Sequence, residues 1–252
     1  MATDPTRRFS NRVDDYVKYR PTYPAAIISW LQQHYGNNTD IIVADIGAGT
    51  GISSQLFLDA GYEVIAVEPN REMREEAEKL LQAYPGFSVK DGAAEQTGLE
   101  ASSVDWILCG QAFHWFDVAA AKAEFKRILK PGGLVLLLWN ERLVATAFEQ
   151  EYEQLIRTYG RQYQSLNHRN VGMDQMLAFY HPRPVHLETF SNQQAFDYEG
   201  LRGRLLSSSY MPLQGDEGYE AMLDGLRALF DCHQHAGKIT IHYTTKLYSG
   251  IL

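Results

Sequence analysis

Between Ile41 and Gly51 the sequence changes character in mid-run. Ile41-Ile42-Val43-Ala44 is apolar without alternation, as in a strand buried on both faces. It leads straight into Asp45-Ile46-Gly47-Ala48-Gly49-Thr50-Gly51. Glycines at such a point let the backbone turn sharply and come close to a ligand. Ser53 to Ala60 then reads as a helix closed by Gly61, and Val64 to Val67 as the next strand. Buried strand, glycine loop, helix and second strand make up a parallel βαβ unit.

The same rhythm continues. Asn70 is placed to cap a helix whose first turns carry Glu72, Glu75 and Glu76, favourable at the positive end of the helix dipole, and Pro85-Gly86 stops it. Phe87 to Lys90 and Val104 to Cys109 read as strands. Asp117 caps a helix with Val118, Ala121, Phe125, Ile128 and Leu129 on one apolar face. Lys126, Arg127 and Lys130 sit at its negative end, Pro131-Gly132-Gly133 is a stop signal, and Leu134 to Trp139 is a fifth strand. Strands alternating with helices predict an α/β fold built on a mostly parallel sheet.

Outside this core the signals are shorter. Asn11 to Lys18 and Ala25 to Tyr35 read as helices, interrupted by Arg20-Pro21-Thr22-Tyr23-Pro24, because each proline disfavours helical geometry in the residue before it. Beyond Asn140, helices are expected over Phe148–Tyr159, Glu199–Ser208 and Glu217–His235. Val185 to Tyr198 has β-like content, and Lys238 to Gly250 reads as a last strand. The resulting expectation is one domain of 252 residues: an N-terminal helical arm (1–40), a ligand-binding core (41–140), an insert covering the active edge of the sheet (141–210) and a C-terminal helix and strand (211–252).

Charge and composition narrow the function. Acidic residues outnumber basic ones 31 to 23, for a formal charge of −8. Binders of duplex nucleic acid draw most of their affinity from phosphate contacts and show the opposite balance. No apolar run approaches the ~20 residues that span a bilayer, and the first residues lack the apolar centre of a signal peptide. Two cysteines, Cys109 and Cys232, are too few for a disulfide framework. A soluble cytoplasmic protein without a membrane partner is expected. His233-x-His235 and His181-x4-His186 lack companions at ligand spacing, so no metal site is expected.

The second strand ends in a carboxylate. Glu68 follows Gly47 by 21 positions, which in a βαβ unit sets it beside the first loop, able to accept both hydroxyls of a ribose. The dinucleotide fingerprint G-x-G-x-x-G fails, because its last glycine would fall on Ile52. Asp45 adds negative charge where a pyrophosphate would lie, and suits a ligand that carries an ammonium group.

These residues resemble a known family. Ala44 to Gly51, then Val67-Glu68-Pro69-Asn70 and Met73, are similar to the first two motifs of class I S-adenosyl-L-methionine-dependent methyltransferases. Ala93-Ala94-Glu95 is similar to the third, Gln111-Ala112-Phe113-His114-Trp115-Phe116-Asp117 to the fourth, and Arg127 to Gly133 to the fifth. Tyr19-Arg20-Pro21-Thr22-Tyr23-Pro24, with His114 to Asp117, resembles more narrowly the trans-aconitate methyltransferase-like group. The resemblance implies a Rossmann-like fold, with a seven-stranded, mostly parallel sheet whose last strand is antiparallel and helices on both faces. It implies S-adenosylmethionine as cofactor and S-adenosylhomocysteine as product. Asp45 and the backbone of Gly47, Ala48, Gly49, Thr50 and Gly51 would hold the methionine part, Glu68 the ribose, and Pro69, Asn70 and Met73 the adenine border. Many relatives carry an aspartate where this chain has Ala93, so Ala94 N–H with Glu95 or Gln111 would have to meet the adenine amino group. Arg20, beside Tyr19, is a natural bidentate partner for the cofactor's carboxylate.

The aromatic strip after the fourth strand faces the crevice at the carboxyl end of the sheet. Phe113 and Phe116 are assigned to packing. His114 is open between a general base and a hydrogen-bond partner of cofactor or substrate. Trp115 can wall a sulfonium through ring–cation attraction of about 0.5–2 kcal/mol, and can also border the substrate. A small-molecule acceptor is expected, with a carboxylate, hydroxyl or amine as accepting group, in a pocket built from 141–210 and including Arg202, Arg204 and Tyr210. An NAD-type oxidoreductase and a cofactor-binding protein without turnover are the alternatives.

Overall fold

The structure, a computed structural model, describes residues 18–161 and 172–252. The helix expected over Asn11–Lys18 lies outside the described residues except for its last position. In chain order the elements are α1 (Ala26–Tyr35), β1 (Ile42–Ile46), α2 (Ile52–Leu58), β2 (Glu63–Val67), α3 (Arg71–Leu81), β3 (Phe87–Lys90) and β4 (Val104–Gly110). A 3₁₀ turn (Phe113–Trp115) follows, then α4 (Val118–Ile128), β5 (Leu129–Arg142), α5 (Ala147–Tyr159), α6 (Met173–Tyr180), β6 (His186–Phe196), α7 (Tyr198–Leu206), α8 (Tyr219–His233) and β7 (Ile239–Gly250).

The strands form one seven-stranded sheet in the order β3-β2-β1-β4-β5-β7-β6. Pairing is parallel from β3 through β5, and β7 runs antiparallel to both of its neighbours. This is the expected Rossmann-like sheet with its antiparallel last strand.

Alternation along the strands fills both faces. On β5, Val135, Leu137 and Trp139 point to the side where Ala121, Phe125 and Ile128 of α4 and Met176, Phe179 and Tyr180 of α6 close the core. Leu134, Leu136 and Leu138 point to the other side, against Ile27, Ile28 and Leu31 of α1 and Phe57 and Leu58 of α2. Val118, expected on the buried face of α4, is exposed. It begins the helix directly after the Asp117 cap, whose carboxylate accepts the N–H groups of Ala119 and Ala120 at 3.1 Å. The Pro131-Gly132-Gly133 stop ends α4 but not regular structure, because β5 starts before it and runs on to Arg142.

The stretch 141–210 divides between two places. Helix α6 and strand β6 complete the sheet and one of its faces. Helices α5 and α7 join α8 and the overhanging ends of β6 and β7 in a third apolar cluster, with Tyr152, Ile156, Leu201, Leu205, Met222 and Leu226. This cluster lies beyond the carboxyl ends of the parallel strands, where β7 begins. Among the described residues no helix is long and apolar enough to cross a membrane.

Candidate functional site

At the carboxyl ends of β1, β2, β4 and β5 the surface opens into a cavity of about 340 Å³. The strand order reverses at β1/β4, where such sheets place their ligand crevice.

The first wall is the glycine loop. Gly47, Gly49 and Gly51 all adopt positive φ, at 70°, 58° and 85°. The N–H of Gly47 donates to Val67 O at 2.8 Å, which ties the loop to β2. At Gly49 an added Cβ would meet nothing within 4 Å, so this backbone is bare toward the cavity. Glu68 Oε2 accepts the Gly49 N–H and Oε1 accepts the Asn70 N–H, both at 2.8 Å. Each oxygen keeps a further lone pair. Burial raises the Glu68 pKa above its ordinary value, against the pull of those two N–H groups.

Asp45 has a different place from the one expected. It is fully buried and does not line the cavity. Its Oδ2 accepts the hydroxyls of Ser53 and Ser54, both at 2.7 Å, and Oδ1 has no partner among the described residues. Burial pushes its pKa up to about 6, the serine hydroxyls opposing and Glu68 adding. Asp45 therefore braces the start of α2 from behind, while Ser53 is on the wall. Thr50 and Gly51 also turn away from the cavity, Gly51 against Leu81.

Pro69, Asn70, Met73, Ala93, Ala94 and Glu95 continue the wall. Asn70 Oδ1 caps α3 on the Met73 N–H at 2.9 Å. The Glu95 side chain is engaged: its Oε1 accepts the Asp117 N–H at 2.7 Å. Gln111, at φ 56°, donates from Nε2 to Asn140 O at 3.1 Å. His114 and Trp115 line the cavity with ring centroids 4.6 Å apart. Phe113 packs into the core against Phe179, as expected, whereas Phe116 packs and also lines the cavity.

The opposite half is lined by Asn140, Glu141 and Arg142 from β5, Tyr243 from β7, Arg204 from α7, and Ser209 and Tyr210 beyond it. Arg20, Pro21 and Tyr23 of the arm close the rim, but Tyr19 does not reach the cavity. Arg142 is neutralised by Glu153, and Glu141 by Lys246 at 2.7 Å. Arg204 has no such partner. It donates from Nε to Tyr243 Oη at 3.3 Å and from Nη1 to Ser208 Oγ at 3.4 Å, and no carboxylate among the described residues pairs with it. Burial pulls its pKa down, and the oxygens of Tyr243, Tyr152 and Tyr210 around it, with the Tyr243 hydrogen bond, more than offset this, so the net direction is upward. Arg202 lies off the cavity, where it donates to Tyr219 Oη at 3.3 Å and pairs with Glu199 at 3.6 Å. Two helix positions apart, the two arginines point about 200° from each other.

Sequence reasoning missed Tyr23, Ser53, Asn140, Arg142 and Tyr243. Asn140 and Arg142 had a usable signal, since they end a buried parallel strand beside β4. Tyr243 had none, because its position depends on the β5/β7 pairing.

A loop bare toward the cavity at Gly49, an acidic strand end next to it and a separate polar half share one crevice of a Rossmann-like sheet. Residues 44–137 match the model of the methyltransferase domain family. An uncharacterized methyltransferase of Schizosaccharomyces pombe is 27% identical over 97% of this chain and 96% of that protein. One from Mycobacterium tuberculosis is 36% identical over 61% of this chain and 60% of its own length. A solved structure from Anaeromyxobacter dehalogenans, named as a type II methyltransferase, superposes with a TM-score of 0.69 at 21% identity, over 92% of this chain and 97% of that one. Residues 44–137 are thus similar to a methyltransferase domain, and the sheet around them has the fold of the solved methyltransferase structure.

Proposed function

We propose that the protein transfers a methyl group from S-adenosylmethionine to a small-molecule acceptor that carries a carboxylate. The observation that carries this reading is Arg204: a half-buried guanidinium on the cavity wall that no carboxylate among the described residues pairs with. A buried charge without a counter-charge is costly, and an anionic ligand supplies what the protein lacks.

The cofactor half fits as well. The open face of Gly49 leaves room for close approach, and the spare lone pairs of Glu68 suit two ribose hydroxyls. Met73 and Ala94 give an apolar border for an adenine. When bound, S-adenosylmethionine supplies an electrophilic methyl on a sulfonium. The protein's part is alignment and desolvation. The loop and Glu68 fix one reactant, Arg204 holds the other, and Trp115 offers a ring face to positive charge between them. A carboxylate is already ionised at neutral pH, so this acceptor needs no proton taken from it. His114 then serves in binding rather than as a base.

Calorimetry with S-adenosylmethionine, S-adenosylhomocysteine and NAD tests the cofactor. Transfer of labelled methyl to a panel of small acids, phenols and amines tests the acceptor. Tight binding of NAD alone would overturn the reading. Transfer only to phenols or amines, with a kcat limb that titrates in the histidine range, would replace the carboxylate and make His114 the base.

A further inference from the structure

Around Arg204 the hydrogen bonds close into a ring whose directions are forced. A phenol has one hydrogen, and Tyr243 gives it to Gln194 Oε1 at 3.0 Å. Its lone pairs are therefore free to accept from Arg204 Nε at 3.3 Å. Gln194 cannot turn its amide over, because its Nε2 faces two carbonyls, Arg20 O at 3.3 Å and Tyr19 O at 3.5 Å, which only accept. Arg20 in turn donates from Nη2 to Ser207 O at 3.0 Å. Ser207 ends α7, the helix that carries Arg204, and its hydroxyl donates to Arg204 O at 2.8 Å. Tyr19 locks the same joint from outside: a Cβ on Gly203 of α7 would lie 2.0 Å from its ring, so only glycine allows the contact.

Both Arg20 and Arg204 line the cavity, whereas Gln194 does not. It is half-buried on β6, opposite Ile241. We propose that Gln194, acting through Tyr243, is a positioning residue for the acceptor: it aims the Arg204 guanidinium into the cavity and fastens Arg20 of the arm beside it. This rests on the reading of Arg204 as the acceptor's anion site. One amide links Tyr243, which holds the Arg204 guanidinium, to the main chain of Tyr19 and Arg20, so the arm and the anion site are held as a unit.

The test has a part that needs no ligand. In the full-length protein labelled with nitrogen-15, the Arg204 Nε–H resonance is identified by its loss in Arg204→Met. Its exchange with water is expected to quicken at least tenfold in both Tyr243→Phe and Gln194→Met. An unchanged rate in either folded variant overturns the proposal, and if Tyr243→Phe fails to fold, Gln194→Met decides. The second part titrates succinate and citrate into protein saturated with S-adenosylhomocysteine. The tighter acid should bind at least tenfold more weakly to each variant. In an Arg204→Met background, Tyr243→Phe should cost nothing further, and an equal loss there would show a merely structural role and overturn the proposal. If the wild type binds S-adenosylhomocysteine but neither acid, the carboxylate reading falls and the exchange rate still decides the positioning. If it does not bind S-adenosylhomocysteine, the methyltransferase reading itself falls.

Discussion

Glu68 and Gly49 are joined across the first loop, the carboxylate accepting the glycine N–H at 2.8 Å. Glu68 thus shapes the cradle as well as facing the cavity. Replacing it with alanine removes the hydroxyl acceptor and frees the loop. Glu68→Ala should weaken S-adenosylmethionine binding by about 1.5–3 kcal/mol, the range for hydrogen bonds to a charged group. Most of that loss should disappear for an analogue without ribose hydroxyls, measured by the same calorimetry. An equal loss for both ligands would leave Glu68 with the loop alone.

Two glycines two positions apart should fail in different ways. Gly49 has φ 58° and open space where its Cβ would be. Gly49→Val therefore pays the left-handed penalty of about 1–2 kcal/mol and puts its branches into the cavity. It should fold, melt a few degrees lower, and bind no S-adenosylhomocysteine. At Gly51 a Cβ would come 2.5 Å from Leu81 Cδ1, against α3. Gly51→Ala should lose more stability than its single added carbon suggests. Normal cofactor affinity in folded Gly49→Val would reduce the loop to scaffold.

The contrast between these glycines also marks where the sequence was readable. Signals carried by neighbours along the chain held: the Asn70 and Asp117 caps, the β1 loop, and Glu68 at the end of β2. Those that depend on distant pairing did not. On strand β6, at the edge of the sheet, the half-buried positions are themselves largely polar, Glu188, Asn192 and Gln194, and alternate with exposed Thr189, Ser191 and Gln193. It therefore shows as the β-like content of Val185–Tyr198 without an apolar run, and its place at the edge of the sheet is not legible. Asp45 looked like a ligand group because the loop beside it is one. Its burial behind Ser53 and Ser54 follows from the turn into α2, which the residue types alone do not reveal.

Asp45 should leave a mark on stability against pH. Its carboxyl titrates near 6 in the folded protein, from an ordinary value of 3.8, because burial disfavours the charge. Between those values the folded chain holds a proton that the unfolded chain has released. The stabilising contribution is full below pH 3.8 and is lost as pH rises through about 6. By linkage the swing is of the order of 3 kcal/mol. Asp45→Asn removes it, so urea denaturation should show the variant gaining on the wild type between pH 4 and pH 7. Taking the difference cancels Glu124 and Glu149, whose carboxyls are held at about 2 and lose stability in the opposite sense as pH falls. A difference independent of pH would mean that Asp45 ionises normally.

Arg202 and Arg204 provide the sharpest test of the acceptor site, because the helix separates them. Arg204 is enclosed against Tyr243, while Arg202 pairs with Glu199 and Tyr219 away from the cavity. Methionine keeps much of the length of arginine and removes both the charge and the fork of donors. Arg204→Met should lower kcat/KM for a carboxylate acceptor by tenfold or more, equivalent to at least about 1.4 kcal/mol of transition-state stabilisation. Cofactor affinity should stay within twofold of wild type, since Arg204 lies across the cavity from Glu68 and the glycine loop. Arg202→Met should leave both quantities near wild type, because it loses only an exposed ion pair, worth about 0–1 kcal/mol, and a bond to Tyr219. Half-buried and without a carboxylate partner among the described residues, Arg204 supports the fold only through its bonds to Tyr243 and Ser208, so Arg204→Met should unfold within a few degrees of the wild type. The combination of retained stability, retained cofactor binding and lost acceptor turnover is specific to an anion anchor. Unchanged kcat/KM for a carboxylate acceptor in folded Arg204→Met would remove the anion site and leave the methyltransferase fold and its cofactor half as they stand.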